Sequence, residues 1–124
     1  MPSRSIAVGA GALFLAGCAA QASEPSPRNP LHCGVALIVE REIARDNRYD
    51  TLVERLGPVI QWYTFQGAML PEGRRTEGEA YALMVRFRNE VTLRKNVAKA
   101  CVTAAYGEPE FRAALPRLTG APAP

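Results

Sequence analysis

Asn29–Asp46 reads NPLHCGVALIVEREIARD, and the spacing of its apolar residues decides the fold. Asn29 carries the side-chain oxygen of a helix N-cap, which accepts from backbone N–H groups in the first turn. Pro30 follows at the first helical position, where a missing N–H costs nothing. Leu31, Val35, Val39 and Ile43 recur every four residues, and Ala36 and Ile38 widen the stripe. That is the period of a helix burying one face. Asp46-Asn47 closes it.

The same period runs on downstream. A second helix is expected from Asp50, with Thr51 and Glu54 spaced as a capping box. Leu52, Leu56, Ile60 and Tyr63 mark its buried face. Gly57-Pro58 predicts a kink or a short break, because proline removes a backbone hydrogen bond. Residues 70–75, LPEGRR, read as a loop. Thr76 and Glu79 form another capping box and open a third helical region. There Ala80, Met84, Phe87, Val91, Ala98, Cys101 and Ala105 share one side. Gly107 ends that region, and Pro109 starts a short last helix through Leu115. No stretch alternates with period two. The expected fold is a small all-α domain of three to four helices over residues 30–116, followed by a disordered tail at 117–124.

Upstream of the body the chain carries an address. Arg4 precedes an apolar stretch from Ile6 to Ala16, the layout of an export signal. About eleven residues fall short of the roughly twenty that a helix needs to cross a bilayer. Leu15-Ala16-Gly17-Cys18 ends this stretch and resembles the lipobox of bacterial lipoproteins. The resemblance implies that residues 1–17 are a signal peptide removed before Cys18, and that Cys18 carries a diacylglyceryl group and an acylated amino terminus. It further implies a membrane partner through this lipid anchor. Ala19 stands where an aspartate tends to hold such proteins at the inner membrane, so the resemblance points to the outer membrane. Two or three acyl chains anchor firmly where one does not. A competing site remains: Ala20-Gln21-Ala22 before Ser23 fits ordinary signal cleavage, which would discard Cys18 and release a soluble periplasmic protein. Residues 19–29, AAQASEPSPRN, read as a flexible linker that spans at most ~40 Å.

Setting Cys18 aside leaves Cys33 and Cys101, which in an oxidising compartment are most simply one disulfide. A closed loop of that length stabilises a body of about 85 residues by ~4 kcal/mol in the chain-entropy model. The bond also constrains topology. Cys33 lies in the first turn of the first helix and Cys101 late in the third region. In an up-down-up bundle with an unbroken third helix these positions lie ~25–40 Å apart, whereas a bridge needs α-carbons within about 7 Å. Either the first two helices open out nearly end to end beneath one long third helix, or the third region breaks near Asn89 to Thr92 and doubles back. Glu90 to Lys99 contains no helix breaker, which favours the first arrangement.

Composition narrows the function classes. The chain has 124 residues, one domain's worth, and a net charge of +3, about +2 without Arg4. Its basic residues are interspersed with acidic ones, which is not a nucleic-acid footprint. His32, the one histidine, adjoins Cys33, but a zinc site needs three or four ligands, so no metal or cofactor is expected. Near a helix start His32 is expected to be exposed and inert. Glu40, Glu42, Asp46, Asp50, Glu77 and Glu79 each have an adequate structural role, so no catalytic set is expected.

Two stretches suggest contacts. Gln61–Gly67, QWYTFQG, spreads Trp62, Tyr63 and Phe65 over a full turn, so one face does not bury them all. Trp62 and Phe65 either pack against the third helix, with Gly67 permitting close approach, or form an exposed partner patch rimmed by Arg74 and Arg75. Arg86, Arg88, Arg94, Lys95 and Lys99 give the third region a basic side, with Arg88, Lys95 and Lys99 in one stripe. Such a stripe is usually solvated, and it also suits anionic lipid or an acidic partner. The expected function is a non-catalytic binding or structural role in the cell envelope, with an envelope protein as one partner. A small periplasmic stress chaperone is the alternative.

Overall fold

The computed structural model describes residues 24–68 and 77–118. Cys18, Arg74, Arg75, Thr76 and the end of the tail fall outside these residues. Among the described residues five helices follow in order: α1 (Pro30–Asp46), α2 (Asp50–Ala68), α3 (Glu77–Asn89), α4 (Val91–Tyr106) and α5 (Pro109–Ala114), then a 3-10 turn at Leu115–Arg117. Among the described residues there is no strand, and no helix is long and apolar enough to cross a membrane.

α1 is the centre of the body. Asn29 caps it, its Oδ1 accepting from the N–H groups of Leu31 and His32. α2, α3 and α4 all pack against α1, so its buried residues run right round the helix: His32 through Leu37 in unbroken sequence, then Val39 and Ala44. A helix apolar on one stripe would bury one face. This one is enclosed because its opening half contains only small or apolar residues after His32. α1 ends at Asp46, and Arg48 takes the left-handed conformation (φ 60°) that turns the chain, with the Tyr49 N–H reaching back to the Ala44 carbonyl. The expected Thr51 cap is not used. Tyr49 supplies the carbonyl that accepts from Val53, so α2 begins at Asp50, as expected, and Thr51 lies inside it.

A kink or a short break was expected at Gly57-Pro58; α2 is continuous through both residues, so the break does not occur. Proline in a helix interior costs ~3 kcal/mol. Here its ring is fully buried, and Leu56, Val59 and Ile60 beside it in the chain join the core, so burial offsets the lost bond.

The third helical region does break, at the single residue Glu90, and folds back. The unbroken helix with an opened-out α1 and α2 is therefore not the arrangement adopted. Cross-helix contacts fix the directions. Glu79 faces His32 and Arg88 faces Glu42, so α3 runs parallel to α1. Arg94 then faces Glu40, and Cys101 bonds Cys33, so α4 returns antiparallel. Length explains the fold-back. A straight helix from Glu77 to Tyr106 would reach about 45 Å, while α1 spans about 25 Å. Half of the apolar stripe would stand uncovered. Doubling back lets Phe87 on α3 and Val97, Ala98 and Cys101 on α4 bury against the same helix.

No glycine or proline marks the break, because the signal is tertiary. Glu90 leaves the helical region (φ −106°, ψ 85°). The Arg94 guanidinium, 4% exposed, donates from Nη1 to the Phe87 carbonyl that the break leaves open, and from Nε to Glu40. The expected basic stripe of Arg88, Lys95 and Lys99 is thereby divided. Arg88 pairs with Glu42, Arg94 is buried, and Lys95 and Lys99 stay on the surface of α4.

The Cys33–Cys101 disulfide is formed, with α-carbons 5.6 Å apart. The expected linker also contributes to the body. Pro25 is buried, the Ser26 N–H donates to His32, and Glu24 meets Arg86. Chain packing against α3 thus begins by Glu24.

Replacing Arg94 with alanine strands the Glu40 carboxylate and the Phe87 carbonyl in low-dielectric surroundings, at a cost of about 3–5 kcal/mol. Removing Arg88, whose pair with Glu42 is exposed, costs below about 1 kcal/mol. Urea unfolding of Arg94→Ala and Arg88→Ala side by side measures both.

Candidate functional site

The antiparallel return of α4 leaves an open groove of about 290 Å³ between α1, α2 and α4. Its floor is Leu37 from α1, Leu52 and Leu56 from α2, and Ala98 and Val102 from α4. Lys95, Lys99 and Thr103 line one flank, each one turn from the next, and Glu40 closes the other side. The floor is mostly apolar and the polar groups stand at the edge, the general build of a small-ligand site.

The charges at this edge are unequal. Glu40 is already engaged by Arg94, so its negative charge is neutralised locally. Of the five basic residues on α3 and α4, Arg86, Arg88 and Arg94 hold carboxylates, whereas Lys95 and Lys99 enter no ion pair among the described residues. Two cations therefore face an apolar channel with no ion-pair partner among the described residues.

The residues singled out from the sequence are dispersed. Trp62 is half-buried and meets Phe111 of α5 edge to face, with ring centroids 5.6 Å apart, and Tyr106 meets the other side of Phe111 at 5.0 Å. Its ring partner lies on the short last helix, where α3 was expected. A Cβ on Gly67 would meet nothing within 4 Å, so that glycine is not there for close approach. Phe65 is 65% exposed and separate from Trp62, while the proposed rim residues Arg74 and Arg75 lie outside the described residues.

His32 differs most from expectation. It is 3% exposed, and its ring sits between two elements. The Ser26 N–H donates to Nδ1 at 3.0 Å, and Nε2 lies 3.3 Å from Glu79 Oε1. With Nδ1 accepting, Nε2 carries the proton and donates to the carboxylate. The ring thus fastens the segment before α1 and the start of α3 to the first turn of α1. Its burial follows from the return of α3, which the residues around His32 do not reveal. Among the described residues no cluster of histidine, cysteine and carboxylates is placed to hold a metal ion.

Below the groove, α2 and α4 are joined by the Tyr63 hydroxyl, which donates to the Cys101 carbonyl at 2.7 Å. Sequence reasoning found Lys95, Lys99, Leu52 and Leu56 separately, on a basic side and on a buried face. What it missed was that α4 brings the first pair over the second. Comparison with protein families, curated proteins and solved structures found no match.

Burial, and secondarily the negative charge of Glu108, pushes the Tyr63 phenol up to about 12 from its ordinary 10.0. The folded state thus favours the neutral phenol. Its stabilisation is complete below pH 10, where the unfolded phenol is also neutral, and is lost as pH rises towards about 12. Tyr63→Phe should cost about 1 kcal/mol at neutral pH. It should also flatten the fall in urea midpoint between pH 10 and 12.

Proposed function

We propose that this chain is a lipid-anchored protein of the bacterial cell envelope, tethered through Cys18 at the periplasmic face of the outer membrane. Its helical body works by binding and does not catalyse. The observation that carries this reading is the Cys33–Cys101 bond. A disulfide across 68 positions of a small body belongs to an oxidising compartment, which is where the lipobox at residues 15–18 would deliver it. The groove supports binding as the mode of action. Its polar groups are two lysines, a threonine and a carboxylate already held by Arg94, which suits retaining a ligand better than transforming one.

The test is metabolic labelling with a radioactive or alkyne-bearing palmitate in a bacterial host, followed by detergent phase separation. Wild type is expected to carry label and enter the detergent phase, and Cys18→Ala to lose both. A wild-type chain that begins at Ser23 and bears no label would overturn the anchor in favour of a soluble periplasmic protein.

A further inference from the structure

We propose that the groove between α1, α2 and α4 holds one fatty acid, its hydrocarbon chain along Leu37, Leu52, Leu56 and Val102 and its carboxylate between Lys95 and Lys99. The proposal deepens the binding reading given above and rests on it. It does not depend on the lipid at Cys18.

Three observations select this occupant. The first is charge. Lys95 and Lys99 are successive turns of one helix, both exposed and both without a carboxylate among the described residues, while Glu40 in the same groove is taken by Arg94. The edge is therefore cationic, and a ligand with an anionic head complements it. The second is the floor, which is apolar on all three helices and includes Leu52 at 38% exposure. An extended hydrocarbon covers such a strip and removes it from water. A compact hydrophilic anion such as phosphate would leave the strip wet. The third is size. At about 290 Å³ the space falls just under the roughly 300–1,000 Å³ of ligand sites, so it suits one chain and not two. A helix, 10–12 Å across, belongs to a broader groove. A free carboxylate on a single chain meets all three conditions.

Binding here has a structural consequence. The ligand would touch α1, α2 and α4 together, adding to the contact between α2 and α4 that Tyr63 makes lower down.

The test uses the mature chain carrying Cys18→Ala, which needs no detergent. Dodecanoate is titrated calorimetrically, and a dodecanoate bearing a terminal diazirine is photolysed and its adducts are mapped by mass spectrometry. Saturable one-to-one binding is expected, with adducts on peptides containing Leu52, Leu56 or Val102. Dodecyltrimethylammonium, with the same chain and a cationic head, should bind at least about tenfold more weakly. Lys95→Gln/Lys99→Gln should weaken dodecanoate about tenfold. Thr103→Trp, which fills the groove from an exposed position, should block it while the thermal melt of the chain is kept. Equal binding of the two head groups overturns the proposal. So do adducts confined to other surfaces, full binding by the double lysine variant, or adsorption to phosphatidylglycerol vesicles without binding of dodecanoate. A chain that is anchored but does not take dodecanoate refutes this proposal and leaves the anchor standing. A chain that takes dodecanoate but bears no label at Cys18 refutes the anchor alone.

Discussion

The Arg94 guanidinium is the contact on which the rest of the structure depends. It is buried where α3 ends and α4 begins, and it joins α1, α3 and α4 at one point. A helix break leaves carbonyls without partners, and burial makes each such orphan costly. Arg94 supplies the missing donor to Phe87 and places its charge against Glu40. A buried ion pair of this kind often adds little net stability over an apolar replacement. Its contribution is to specify one arrangement, because only the folded-back geometry gives both groups of the guanidinium a partner. The disulfide, the Tyr63 bond and the groove all lie along α4 below that turn, and all require α4 to return along α1.

Around this turn the body is built as a sleeve on α1. Helices packed on several sides let a short central helix bury almost every residue of its first half, which a small chain needs because its surface is large relative to its volume. The disulfide then ties the start of α1 to α4, and His32 ties the same start to Ser26 and Glu79. The first turn of α1 is therefore held by a covalent bond, a backbone hydrogen bond and a side-chain contact from three separate segments.

The helical class, the Asn29 cap, the limits of α1 and the cysteine pair were legible in the sequence because each depends on neighbours a turn or two away. The break at Glu90 was legible only as the less favoured of the two arrangements that the cysteine pair allows. Nothing between Asn89 and Val91 disfavours a helix locally, and the break exists because α1 is half the length of the stripe that must cover it. The cysteine spacing did restrict the chain to two topologies, and the structure adopts the one that needs no opening of α1 and α2. At Pro58 the local signal allowed a break that does not occur, since the ring is buried and the helix continues through it. His32 and the groove were illegible for one shared reason. Each needs a partner that is distant in the chain: Glu79 of α3 lies 47 positions from His32, and the α4 residues of the groove lie far beyond those of α1 and α2.

The envelope reading and the groove converge on lipid chemistry from independent residues, one through Cys18 and the other through Lys95 and Lys99. Both readings of the body presuppose the hairpin of α3 and α4. Spin labels at Gly78→Cys and Ala104→Cys, in a Cys18→Ala chain with the native disulfide intact, measure that hairpin directly. A straight helix would separate these backbones by about 39 Å. Helices flanking a common neighbour, each at 8–10 Å, bring them under about 30 Å. A distance distribution below 30 Å is the result predicted here, and one centred near 39 Å would contradict the fold, the clasp at Arg94 and the groove together.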